Sequence, residues 1–395
     1  RTWAGKQMSR HGAENLILNF GFTKILLVGG HELSRHILAP PPRSDGFAVG
    51  KLKRNSMAAL APHALTISDD EQWTRLRPFN EGVLCSGRPH AFGQGFVEQV
   101  HRAFSVAPAT IDDIRRSMGR VMSGVVFGDG VAPDRLTDEV QWLFDLVQHP
   151  VKRILLGPWA RRRRARFYHT LRDAWRATAG SPPPSLLGLA HGAAGNLAEE
   201  QLLQQVPHWM FTFTGSGTDL LARTLALVTS HPDTLARARS ELASAGPLDQ
   251  AETIGRLTFA EACLMEAARM YPPVTRTFHR APAGANAGAV RVPAGMEILH
   301  SFPLLGRSPV AVDEPKRFQP ERWLSSAAPA LAGDFDPFLS GARHCPGREL
   351  IVLVCKTALA ILLGPMRVVV ETPLARDALP EAFPADGIRF RPEHG

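Results

Sequence analysis

The chain predicts a mainly α-helical protein with a minor β region, organised as one domain over residues 1–395. Helical patterns recur along it at 111–127, 137–156, 199–228 and 260–270, and an apolar run at 349–363 reads as a buried helix. Strand-like segments are few and short, at Lys24–Gly30 and Ala289–Pro293. The 395 residues, 44% hydrophobic, suffice for a large core, and no Ser/Gly linker, low-complexity tract or repeat divides them.

Each element has a local reason. Lys24–Gly30 ends in two glycines, a strand and its turn, and His31–Ala39 follows as a short helix. Ser68 or Asp69 caps a helix with an acidic first turn, on which Trp73 and Arg77, four apart, share a face. Five arginines in the six residues Arg161–Arg166 read as a solvated helix face or loop, and Ala179–Leu187 as a loop. Glu199–Val228 reads as one long helix, with Pro207 marking a break or its first turn. Its centre, Phe211–Asp219, clusters small and hydroxyl residues, which lowers helix propensity and invites a kink or bulge. The next helix opens at His231–Pro232. The helix Ala260–Met270 carries Glu266 and Arg269 on one side, and two prolines then lead into strands.

Cysteine use narrows the chemistry. Cys85, Cys263, Cys345 and Cys355 show no paired spacing, so a reducing compartment is expected rather than a disulfide framework. Cys345 lies in Phe-Leu-Ser-Gly-Ala-Arg-His-Cys-Pro-Gly, residues 338–347, just before the apolar helix. A sulfur at a helix N-terminus, with Arg343 two residues away, is expected to favour the thiolate. Gly341 and Gly347 let the backbone approach something large and flat. No second cysteine or histidine stands at zinc spacing, whereas a single thiolate suits haem iron. Taken alone, a lone cysteine is more often a buried structural residue.

The decapeptide matches Phe-x-x-Gly-x-Arg-x-Cys-x-Gly at Phe338, Gly341, Arg343, Cys345 and Gly347, and in this it resembles the haem-binding loop of the cytochrome P450 family. Three more stretches share the resemblance. Trp73-x-x-x-Arg77 is similar to that family's C helix. Glu266-x-x-Arg269, followed by Tyr271-Pro272-Pro273-Val274, is similar to its K helix. Phe318-Gln319-Pro320-Glu321-Arg322-Trp323 is close to its Phe-x-Pro-Glu-Arg-Phe. The four motifs stand in the family's order over roughly residues 73–347.

The resemblance implies the cytochrome P450 fold and haem b, its iron ligated by Cys345. It implies that Trp73, Arg77, Arg276 and Arg343 hold the propionates, with His63 as a further contact. Glu266, Arg269 and Arg322 would form a buried ion network, structural in role. Substrate contacts would come from Thr212, Val274 and Thr275, and from Ser44–Pro62. One departure matters. The family's I helix reads Ala/Gly-Gly-x-acid-Thr. Local matching puts Gly217 at the acid and Thr218 at the alcohol, whereas counting back from His231–Pro232 puts Gly215 and Ser216 there. Both registers lose the acid, and Asp219 falls on the wrong side of the hydroxyl. Gly215, Ser216 and Thr218 are therefore the catalytic candidates, with the proton coming from water, a hydroxyl or the substrate. Leu305-Gly306-Arg307-Ser308 also departs from the family's Asn-Arg-Asp.

The implied activity is oxidation of a small-to-medium organic molecule by a monooxygenase in bacterial secondary metabolism. Electrons would come from NAD(P)H through a ferredoxin and a ferredoxin reductase. The missing acid leaves two alternatives open: a peroxide-driven or otherwise atypical haem-thiolate enzyme, and a catalytically silent haem-binding relative. The net charge of +8 suits an acidic redox partner better than nucleic acid, since aromatic residues do not interleave with the basic ones in any recognisable module. No run of eighteen apolar residues and no signal peptide is visible, so no membrane contact and a cytoplasmic location are expected. The chain opens on Arg1 rather than Met, which leaves open what precedes it.

Overall fold

The computed structural model describes residues 7, 14–21, 23–129, 135–149, 156–180, 182–282, 285–287, 290–324, 335–376 and 378–393. It is mainly helical, with a small β region, as the hydrophobic periodicities predict. Strands β1 (Asn15–Asn19) and β2 (Lys24–Val28) form a hairpin, and α1 (His31–Leu38) follows. After β3 (Ala48–Val49) come α2 (Lys51–Met57), α3 (Asp70–Leu84), α4 (Gly93–Ala103) and α5 (Ile111–Phe127). Next are α6 (Arg135–Gln148), α7 (Gly157–Thr178) and α8 (Leu186–Ala193).

The expected long helix is divided. It consists of α9 (Glu199–Leu203), α10 (Val206–Phe211), a π turn at Thr212–Gly217 and α11 (Thr218–Ser230). The first break falls at Gln204–Gln205. Both amides face sideways there: Gln204 Oε1 accepts from His63 N at 2.7 Å, and Gln205 Oε1 from Leu65 N at 2.9 Å. Pro207 sits in the first turn of α10, where its missing N–H costs nothing. The π turn coincides with the small and hydroxyl residues.

The remaining helices are α12 (Pro232–Ala245), α13 (Ala251–Gly255), α14 (Thr258–Met270), α15 (Phe302–Gly306) and α16 (Arg348–Leu363). The later strands are β4 (Arg276–Arg280), β5 (Asn286–Ala287), β6 (Val290–Arg291), β7 (Glu297–Ser301), β8 (Val368–Val370) and β9 (Phe390–Pro392). The main sheet runs β1-β2-β7-β4-β3, with β2 and β7 parallel. Leu26, Val28 and Ile298 on its strands pack with Leu33 and Ile37 of α1 in one small core.

The large core lies among α3–α5, α11, α14 and α16. α16 is apolar almost all round and mostly buried, which is the pattern of a helix at the centre of a domain rather than on its surface. Gly217 lets the π turn meet α16 closely: a Cβ there would lie 2.6 Å from Ile351 Cδ1. α5 begins with a capping box, Thr110 Oγ1 accepting from Asp113 N while the Asp113 carboxylate accepts from Thr110 N.

Two expectations, the cap and a helix end, meet a different outcome, and a third, the solvated arginine run, is met. Asp69 occupies the cap position of α3, but its carboxylate is spent elsewhere, on Val49 N at 2.9 Å and on Arg54. Ser68 donates to Ala64 O instead of capping. The helix expected over 137–156 ends at Gln148, and residues 150–155 lie outside the described ones. The arginine run belongs to α7, where Arg161, Arg162 and Arg166 are exposed and Arg163 stacks over Trp142.

Candidate functional site

Cys345 is presented by a loop that α1 and α16 hold from two sides. Gly341 takes a left-handed φ of 62° and packs so tightly on α1 that a Cβ would come within 2.6 Å of Ala39 Cα. Ala342 N donates to Ala39 O, and Cys345 N donates to Phe338 O at 2.7 Å. Phe338 and Cys345 are both half-buried. Burial pushes the thiol up to about 11, although the Gly347 backbone N–H and the charge of Arg77 pull the other way. The sequence leads one to expect a depressed thiol at this helix start. Here desolvation outweighs the Gly347 N–H and the Arg77 charge, so the thiol is raised rather than depressed.

The basic candidates divide into two groups. Arg77 turns inward to its own loop: Nε donates to Glu81 Oε1 at 2.7 Å and Nη1 to His344 O at 2.8 Å, and its guanidinium lies 6.0 Å from the Trp73 ring. His63 Nδ1 meets Gln72 Nε2 at 3.1 Å. Arg343 reaches toward the sheet, with Nη1 2.9 Å from His279 Nδ1, Nη2 on Phe47 O and Nε on Pro40 O. Burial lowers its guanidinium to about 10. Arg276, at the start of β4, is exposed, as are Val274 and Thr275 before it. Its side chain makes no hydrogen bond or ion pair among the described residues.

The structure brings Glu266, Arg269 and Arg322 together. Arg269 forks onto Glu266, Nε to Oε2 and Nη2 to Oε1, both at 2.8 Å, and Arg322 Nε reaches Oε1 at 3.0 Å. Glu266 also accepts from Gln319 N and Trp323 Nε1. Arg269 spends its remaining donors on Gly306, Pro315 and Arg317 carbonyls. One ionised glutamate thus stitches α14 to the segment 306–323. Burial alone would raise its pKa, but Arg269 and Arg322 outweigh burial and hold it below the usual glutamate range.

The two hydroxyl candidates on the π turn have different surroundings. Ser216 is half-buried, with Oγ donating to Thr212 O at 3.3 Å. Thr218 is completely buried, its hydroxyl on Phe213 O at 2.9 Å. Gly215 and Thr212 keep accessible surface beside Ser216. A Cβ at Gly215 would strike the Phe211 ring at 2.4 Å. Asp219 lies below them and is paired with Arg223 at 3.1 Å. Burial raises its carboxyl against that pairing.

The donor set indicates what could bind. Among the described residues no three His, Cys, Asp or Glu side chains converge as a metal site. Cys345 stands outside any such cluster, and an ion held there would have to bring other ligands with it. A haem does so, and a single half-accessible thiol fits that group. Sequence reasoning missed the edge-on pair His279 and His300, 4.8 Å apart, whose Nε2 atoms and His300 Nδ1 are buried without partners. No spacing rule marks these residues, because each comes from a different element.

Comparison with known proteins gives likenesses to one family. The family model for cytochrome P450 matches residues 190–375. A probable cytochrome P450 312a1 of Drosophila melanogaster is 35% identical over 38% of this chain and 32% of its own length. A cyclooctat-9-en-7-ol 5-monooxygenase of Streptomyces melanosporofaciens is 28% identical over 64% of this chain and 54% of its own. A pentalenene oxygenase of Streptomyces avermitilis is 30% identical over 47% and 42%. The matched region thus spans about a third to a half of these relatives' length. No described helix is long and apolar enough to cross a membrane.

Proposed function

We propose that this chain, which belongs to the cytochrome P450 family, is a single-domain haem-thiolate monooxygenase that oxidises a small-to-medium organic molecule. The observation that carries the reading is Cys345: a half-accessible thiol outside any disulfide, on a braced loop, beside the Arg77 charge, with no cluster of three or more metal-ligating side chains among the described residues. When bound, haem would supply dioxygen activation assisted by a thiolate ligand.

The chain's own residues then have separate tasks. Cys345 Sγ ligates, and the Gly347 N–H and the Arg77 charge stabilise its negative charge. Arg276 and Arg343 bind the propionates, with Trp73, Arg77 and His63 behind them. The half-buried surface of Phe338 bounds the sulfur, and the backbone at Gly341 and Gly347 keeps the loop close. Thr212, Val274 and Thr275 shape the substrate space. Ser216 Oγ, already donating to Thr212 O, keeps its lone pairs for a water proton, whereas the Thr218 hydroxyl is enclosed; we assign the alcohol role to Ser216, beside Gly215.

Electrons are proposed to come from NAD(P)H through a ferredoxin and its reductase, which the basic surface would attract. A cytoplasmic location and a place in bacterial secondary metabolism complete the reading, the latter supported by the Streptomyces relatives. One observation favours a second reading, peroxide-driven oxidation: Asp219, the carboxylate that follows the π turn, is held by Arg223.

The first experiment is the spectrum of the dithionite-reduced protein with carbon monoxide. A strongly red-shifted Soret band is expected from an intact thiolate ligand. An unshifted band would mean a lost or protonated thiolate, and no haem band would overturn the reading. Turnover with a ferredoxin system, compared with hydrogen peroxide alone, then separates the two oxidant supplies.

A further inference from the structure

We propose that Phe211 sets the width of the substrate space beside Ser216, by filling the room that a side chain on residue 215 would need. The assignment deepens the monooxygenase reading above and rests on it.

Phe211 closes α10, and the π turn begins at the next residue. Along this stretch Phe213, Thr214, Gly217 and Thr218 are buried, whereas Phe211, Thr212, Gly215 and Ser216 each keep some accessible surface. Those four follow the i, i+1, i+4, i+5 spacing of one helical face, so they form a single accessible stripe on a stretch that is otherwise enclosed. Phe211 is the large apolar side chain of that stripe.

Its ring is held on two sides. It stacks on Phe144 of α6, with centroids 4.0 Å apart and planes 17° from parallel, and Phe144 is itself buried. Its edge lies over Gly215: a Cβ there would come within 2.7 Å of Cζ and 2.8 Å of Cδ2. Carbon atoms in good contact sit about 3.5–4.0 Å apart, so residue 215 has no room for a side chain while the ring stays. Moving the ring aside costs its stack on Phe144. Gly217 is closed differently. A Cβ there would meet Thr212 O and Ile351 Cδ1, both at 2.6 Å, so backbone and a second helix take part. Of the two glycines that stand where an acid is expected, Gly215 is the one whose nearest obstacle is a side chain. An uncharged ring therefore takes the volume beside Ser216 that an acid would take, and it decides how much bulk can stand next to the Ser216 hydroxyl.

The test has two arms. In the purified full chain, Gly215→Ala should lower the urea midpoint. In a Phe211→Ala background the same change should leave the midpoint unchanged or raise it, because alanine is the better helix former once the ring is gone. An equal fall in both backgrounds would overturn the proposal. In the haem-loaded protein, imidazole and benzimidazole are titrated by absorbance, since an imidazole nitrogen ligates haem iron and benzimidazole carries an extra ring into the neighbouring space. Phe211→Ala should tighten benzimidazole relative to imidazole by about tenfold, the lower end of what a change in pocket size discriminates. Phe211→Leu should move the ratio the same way by less, and it decides this arm alone if circular dichroism shows Phe211→Ala to be unfolded. An unchanged or reduced ratio would overturn the proposal. The carbon monoxide band of the wild type is recorded first. Its absence overturns the monooxygenase reading and the assignment with it, whereas an unmoved ratio with the band present overturns the assignment alone.

Discussion

Two clusters of charge lie in this molecule, and they are built on opposite principles. Around Glu266 every group is answered: two arginines, a tryptophan N–H and a backbone N–H surround one carboxylate, and carbonyls take the surplus guanidinium donors. Around Arg343 the partners are His279 and the Phe47 and Pro40 carbonyls, with no carboxylate bonded to it among the described residues, and the ring nitrogens of His300 have no partner. The closed cluster leaves nothing for a ligand to do. The open cluster can still gain from an incoming anion. Both are arginine sites held by hydrogen bonds, so hydrogen bonding does not tell them apart; the presence of a bonded carboxylate does.

Cys345→Ser breaks the open side most completely. The red-shifted carbon monoxide band and the activity should vanish, while far-ultraviolet circular dichroism remains that of the wild type. Glu266→Gln breaks the closed side. It leaves Arg269 and Arg322 buried without their counter-charge and should cost about 3–5 kcal/mol in urea unfolding. The same residue predicts a pH dependence. Its folded pKa lies below its unfolded value, so its contribution is full above the ordinary glutamate range and lost as pH falls through the folded pKa. The stability gap between wild type and Glu266→Gln should therefore narrow on acidification below about pH 4.3, the ordinary glutamate value.

Gly217→Ala probes the contact between the π turn and α16. The new methyl would meet Ile351 Cδ1 and Thr212 O at 2.6 Å, and overpacking of this kind costs about 1–3 kcal/mol, read as a fall in the urea midpoint. The smallest effect sharpens the comparison best. Arg276→Gln removes an exposed, unpaired cation and should change the stability of the haem-free protein by no more than about 0.5 kcal/mol. It should nonetheless speed haem transfer to apomyoglobin. A scaffold arginine would show the reverse order of effects.

How much of this was legible in the sequence follows from where the partners lie. Glu266 and Arg269 are one turn apart, and Trp73 and Arg77 likewise, so helical spacing alone puts each pair on one face. Cys345 was legible because its loop is continuous. Phe47, His279 and Arg343 come from three segments spread over nearly three hundred residues, and no local pattern could bring them together. The thiol is a subtler case. The helix start and the nearby arginine are real, but desolvation, which sequence does not display, outweighs them in the protein alone. Asp69 likewise looked like a cap and serves instead to tie Val49 and Arg54.

The π turn at Thr212–Gly217 has one more consequence. A π turn takes up more residues than an α turn, so the helix before it and the helix after it run out of phase. His208 and Thr212 keep the phase of α10, whereas Leu220 to Val228 keep that of α11. Shortening the turn by one residue would rotate α11 by about 100°, one α-helical step, against α10.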